Sequence, residues 1–152
     1  MITAIRGNTE TASYIDATTQ KQKGYFNQSV TLGKQSAYNE LYAFWQECKS
    51  PNWDGYNALA VEEKTLFNAY WFIESLPLGY PLPSVGAEPD GHLTLEWYRN
   101  PRWILSVSIS PEGMFYYAAL FDTESEQGWE GFWGEIPQVI LGLINKVKGI
   151  TG

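Results

Sequence analysis

Apolar residues between Ser36 and Lys49 fall at helical spacing, with Ala37, Leu41, Phe44, Trp45 and Cys48 forming one stripe. That spacing predicts a first helix. Pro51 ends it, because proline lacks the backbone donor and clashes with the preceding turn. A turn-like stretch, Asn52-Trp53-Asp54-Gly55-Tyr56, follows. Glu62 and Glu63 then suit the positive end of a second helix, whose Leu66, Ala69, Tyr70, Ile73 and Leu76 recur at three and four residues before Pro77. Residues 1–33 lack a sustained period and are rich in Thr, Ser, Gln, Asn and Gly. They read as a loosely ordered polar arm, anchored locally by residues such as Tyr14 and Phe26, ahead of one compact domain over 34–152.

Beyond Pro77 the period changes from helix to strand. Leu78 to Glu88 is a Pro- and Gly-rich connection with room for one short strand near Val85. Glu88-Pro89-Asp90-Gly91 carries turn chemistry, after which Leu93, Leu95 and Trp97 alternate with Thr94, Glu96 and Tyr98. Trp103, Leu105, Val107 and Ile109 alternate with Ser106 and Ser108, so the first set belongs in the core. Ser110-Pro111-Glu112-Gly113 is a second hairpin turn. It leads into Met114 to Phe121, where both faces are apolar or aromatic, the mark of a central strand or one covered on both sides. Residues 122–135 read as an acidic loop. Ile136, Val139, Ile140, Leu143, Ile144 and Val147 then predict a last helix with Pro137 in its first turn, Lys146 and Lys148 at its negative end and Gly149 beyond.

The expected fold is therefore α+β: two N-terminal helices, an antiparallel meander of three to four strands, and a C-terminal helix, with the helices on one sheet face. The other face, carrying Glu96, Tyr98, Ser106 and Ser108, is left open, which makes it available for homo-oligomer formation.

Asn52 to Tyr56, Leu76-Pro77, Pro89-Asp90-Gly91, Leu95-Glu96-Trp97, the strand Leu105 to Ile109 and Tyr117-Ala118 occur in an order that resembles a family of small uncharacterised bacterial proteins. The resemblance spans about residues 38–147. It implies a bacterial origin and one compact domain, and it brings no catalytic role with it. Here the loop continues Tyr56-Asn57-Ala58, whereas the family pattern has a small residue after the tyrosine.

Composition narrows the function classes. A chain of 152 residues is the size of one domain, and seven Trp, ten Tyr and seven Phe supply a large core without a staple. Cys48 is the only cysteine, so neither an intrachain disulfide nor a cysteine-based zinc site can form, which fits a reducing compartment. The opening residues contain no apolar run of signal-peptide or membrane-span length, so a cytoplasmic protein without membrane attachment is expected. Residues 1–50 hold five basic and four acidic groups; residues 51–152 hold five and thirteen, a net of −8. Such a surface repels phosphate backbones and draws basic proteins, so direct duplex nucleic-acid binding is not expected and a basic protein partner is.

Candidate chemistry is sparse. Asp54 suits an Asx-type turn that accepts backbone N–H groups, with Trp53 and Tyr56 pinning the corner between the two helices and Gly55 shaping it. Its chemical alternative is a paired-carboxylate hydrolase using Asp54 with Glu96 or Asp90. His92, the only histidine, excludes a multi-histidine metal site and reads as a strand-end imidazole. Cys48 on an apolar stripe reads as an inert core thiol. Gly128, Gly131 and Gly134 form no phosphate loop, and no motif implies a cofactor or metal. Arg99-Asn100-Pro101-Arg102 reads as a solvated hairpin tip with arginine over an aromatic ring.

The richest segment runs from Asp122 to Glu135. There Asp122, Glu124, Glu126, Glu130 and Glu135 are interspersed with Trp129, Phe132 and Trp133, and no basic residue intervenes. Aromatics anchor protein contacts and charges steer them, so Asp122, Glu124, Glu126, Trp129, Glu130 and Trp133 are the expected partner-binding residues. The expected function is non-catalytic: an acidic antitoxin, immunity protein or inhibitor of a basic partner. The alternatives are the hydrolase and a phage-encoded inhibitor that mimics nucleic-acid charge to block a nucleic-acid enzyme.

Overall fold

The structure is a computed structural model and describes residues 28–132 and 134–150. Three helices and five strands follow in the order α1 (Gln28–Cys48), α2 (Glu63–Ser75), β1 (Ser84–Ala87), β2 (Leu93–Asn100), β3 (Trp103–Ile109), β4 (Met114–Phe121), β5 (Glu124–Gly131) and α3 (Gln138–Lys148). The strands form one antiparallel meander in sequence order, which is the expected α+β class with five strands where three to four were expected. The added strand is β5, read from sequence as part of an acidic loop. Its Glu-Ser-Glu-Gln-Gly-Trp-Glu-Gly sequence has little intrinsic β preference, and pairing along the whole of β4 overrides that. The first helix begins at Gln28, so residues 28–33 of the polar arm are helical; residues 1–27 lie outside the described residues.

The core lies between the helices and one sheet face. Leu93, Leu95, Trp97, Leu105, Val107, Ile109, Phe115 and Phe121 meet Leu41, Phe72, Ile73, Ile140, Ile144 and Val147 in one cluster. Phe72 of α2 packs edge-on against Phe115 at 5.0 Å and lies 5.9 Å from Trp97. β4 lies inside the sheet between β3 and β5, the central position that was one of its two expected settings, and its second face is open rather than covered: Tyr116 and Ala118 are exposed while Phe115, Tyr117 and Ala119 are buried. Its aromatic and small residues there meet solvent and the neighbouring strands, because no helix among the described residues crosses to that side.

Two hairpins share one turn design. Gly91 N–H donates to Glu88 O (2.9 Å) and Glu88 N–H to His92 O (2.9 Å); Gly113 N–H donates to Ser110 O (3.2 Å) and Ser110 N–H to Met114 O (3.1 Å). In both, proline opens a three-residue loop and a glycine at φ 91° or 86° closes it, the conformation that glycine adopts without steric cost.

The corner between α1 and α2 is held by backbone and indole bonds. Val61 N–H donates to Cys48 O (2.9 Å), and the Trp45 and Trp53 indoles donate to Val61 O (2.8 Å) and Leu59 O (2.9 Å). Asp54 Oδ1 accepts the N–H groups of Tyr56 (2.8 Å) and Ala58 (3.1 Å), as expected of an Asx turn. Tyr56 does not pin this corner. It is 88% exposed, because Ala58 and Val61 fill the interior and the turn leaves Tyr56 at its tip. The segment after the loop docks on the first hairpin turn through Leu59 N–H to Pro89 O at 2.8 Å.

Candidate functional site

The segment singled out for partner binding supplies β5, the edge strand of the sheet among the described residues. Register divides it between two faces. Glu124, Glu126 and Glu130 pair with Phe121, Ala119 and Phe115, so they lie on the helix side of β5; Ser125, Gln127 and Trp129 lie on the open side. No helix packs on β5 among the described residues, so its helix-side glutamates face solvent beyond the edge of the helical layer. The expected mixed patch is thus an edge strand with acids on one flank and Trp129, 66% exposed, on the other. Strict alternation along a strand makes that separation unavoidable.

Tyr117 fixes the acidic flank. A Cβ at Gly128 would lie 2.5 Å from the Tyr117 hydroxyl, so the ring covers the space that any side chain there would need. Burial pushes the Tyr117 phenol above its ordinary pKa, and Glu126 and Glu130 on either side push it further. Asp122, in the β4–β5 turn at φ 61°, differs from the glutamates in forming an exposed ion pair with Arg102 at 3.0 Å. Glu135 is exposed, and Trp133 lies outside the described residues.

On the open face Trp129 is the register partner of Tyr116, and Tyr116 of Ser108. The Tyr116 ring stacks on His92 with centroids 5.9 Å apart and planes at 19°. His92 Nδ1 lies 3.0 Å from Ser108 Oγ and 3.7 Å from Asp90 Oδ2. Glu88, whose carboxylate accepts a hydrogen bond from the Thr94 hydroxyl, joins Asp90 and His92 with one ligand-type atom each within 4.8 Å of one another. A shallow groove of about 380 Å³ opens beside them, lined by Glu88, Thr94, Ser106, Ser108, Tyr116 and Ala118 among others. Neither Asp54 nor Glu96 belongs to this group. Asp54 is occupied with its own turn, and Glu96 stands mid-strand across from Ser84 and Ser106.

Sequence reasoning did not assemble Glu88, Thr94, Ser108 and Tyr116. The Ser110–Gly113 turn alone pairs Ser108 with Tyr116 by counting outward from it. His92 reaches them only through the β2–β3 register, which shifts at Tyr98/Asn100 and hides the pairing from such a count.

The remaining candidates are structural. Arg99 lies 4.3 Å over the Trp103 ring, as expected for the hairpin tip. Cys48 is buried and its Sγ–H donates to Phe44 O at 3.3 Å; burial, with Glu47 nearby, raises the thiol to about 11. Because the thiolate is the nucleophile, Cys48 in the folded protein is expected to resist iodoacetamide at pH 8 and to react once denaturant unfolds the chain. Rapid native-state labelling followed by mass spectrometry would contradict that burial.

No helix among the described residues is long and apolar enough to cross a membrane. No protein-family model matches the chain, and neither a curated protein nor a solved structure matches it.

Proposed function

We propose that this protein is a non-catalytic binder of a basic protein, in the manner of an antitoxin, immunity protein or inhibitor, and that its partner lies along β5. The observation that carries this reading is the composition of that edge. Three glutamates on one flank and an exposed tryptophan on the other stand on a strand with no further strand beyond it among the described residues. Residues 122–135 contain no Lys or Arg to neutralise them. A partner that follows the edge meets both flanks. Its cations are steered by the glutamates and its apolar surface closes over Trp129. A second copy fits the edge poorly, since it would set glutamates against glutamates.

Affinity capture from native host extract, with the protein as bait, tests the proposal. A stoichiometric basic partner is expected, with affinity that falls as salt rises. Replacing Glu124, Glu126 and Glu130 together by lysine is expected to weaken it by roughly 100-fold or more, given the couplings measured between close interfacial charges. Failure to recover a partner, or binding indifferent to the reversal and to Trp129→Ala, would overturn the proposal. If the partner is a nucleic-acid enzyme displaced by its own substrate, the protein is the charge-mimic form of the same inhibitor.

A further inference from the structure

We propose that the β1–β2 turn is a binding site for a divalent transition-metal ion, with Glu88, Asp90 and His92 as its protein ligands. Position and chemistry agree. The three residues alternate along one tight turn, and the turn's two backbone bonds and its left-handed Gly91 fix their spacing. Their ligand-type atoms lie within 4.8 Å of one another, and His92 Nδ1 is 3.7 Å from Asp90 Oδ2. Ligands at bond lengths of about 2.0–2.1 Å around a tetrahedral ion stand about 3.4 Å apart, so the Asp90–His92 edge is within a few tenths of an ångström of that spacing and the remaining ligand atoms, within 4.8 Å, close on it by side-chain rotation.

The histidine separates this group from an ordinary acidic surface, and residues outside the turn hold it in place. Tyr116 on β4 stacks on the ring, and Ser108 Oγ on β3, 3.0 Å from Nδ1, gives up that contact when an ion takes the Nδ1 lone pair. Thr94 on β2 holds Glu88. Such outer partners orient ligands before an ion arrives. Glu88 and His92 are half-buried and Asp90 is exposed, which leaves a path of approach. One imidazole nitrogen with two carboxylates favours Zn²⁺ or a neighbouring transition ion over Mg²⁺ or Ca²⁺, which take oxygen ligands. The two carboxylates balance the ion's charge. Three protein ligands leave a coordination position for water or a partner's side chain.

The test uses untagged, chelator-treated full-length protein titrated with Zn²⁺ and, separately, Mg²⁺. Calorimetry reads stoichiometry, and the nitrogen resonances of the only imidazole in the chain report the ligand directly. One Zn²⁺ per chain with a shift of the His92 ring signals is expected, and Mg²⁺ should produce neither. Asp90→Asn and His92→Gln should each weaken Zn²⁺ binding by roughly tenfold or more, with metal-free urea unfolding of each variant showing that it is folded. Should one of these variants fold poorly, Glu88→Gln supplies the same comparison. No binding up to millimolar Zn²⁺, binding that survives His92→Gln, or binding removed only by changing Glu126 and Glu130 would overturn the proposal.

Discussion

Trp97→Ala is expected to remove about 4 kcal/mol of folding stability, within the range for large aromatic truncations in a packed core. Trp97 is 1% exposed on the helix side of β2, stands 5.9 Å from Phe72 of α2, and donates its indole N–H to Pro81 O at 2.8 Å. Alanine leaves a cavity between sheet and helix and deprives that carbonyl of its donor. Trp97→Phe keeps much of the volume but loses the N–H, so a smaller cost of about 1–3 kcal/mol is expected. Urea unfolding with an unchanged slope measures both. A loss under about 1 kcal/mol for the alanine variant would contradict the position of Trp97 at the centre of the core.

The second large effect is at Gly91. A Cβ there would lie 3.0 Å from Ala60 O and 3.6 Å from the Leu59 side chain, on a backbone at φ 91°. Both the left-handed conformation and the neighbouring backbone oppose a side chain, so Gly91→Ala is expected to cost about 2–3 kcal/mol. Gly113 is the built-in control. It occupies the same place in the second turn at φ 86°, with nothing within 4 Å of a Cβ. Gly113→Ala carries the conformational cost alone, about 1 kcal/mol. Thermal or urea unfolding of the two variants therefore isolates the contact between Leu59-Ala60, at the end of the interhelix corner, and the first hairpin. Equal losses would show that this contact adds nothing.

That contact explains why the corner was legible and its use less so. Asp54 follows a local rule, in which a side chain captures backbone donors two and four residues on, and local rules are written in sequence. Tyr56 depends on which residues fill the corner, and Ala58 and Val61 do so. The two Pro-acid-Gly turns and the alternation of β2 and β3 were equally local and equally readable. By contrast, β5 has no apolar alternation to announce it, since its helix-side positions are glutamates rather than core residues. It becomes a strand by pairing with β4, and only that pairing reveals that its glutamates and Trp129 lie on opposite flanks. The His92 cluster was hidden for a related reason: its members come from β2, β3, β4 and the turn before β2, and the register that unites them passes through an irregular hairpin.

Inward-facing charges also protect an edge strand from pairing with its own kind. The glutamates of β5 serve that purpose whether or not a partner binds, and protection alone requires their charge only in the free protein. A partner-binding edge requires it in the complex as well. The most direct measurement compares the captured partner's affinity for the wild-type protein, for Glu124→Gln/Glu126→Gln/Glu130→Gln, and for the triple lysine variant across a range of salt. Affinity that falls in that order, with salt dependence shrinking in the glutamine variant, is the predicted result. Equal affinities and equal salt dependence across the three proteins would contradict the assignment of β5 as the binding edge.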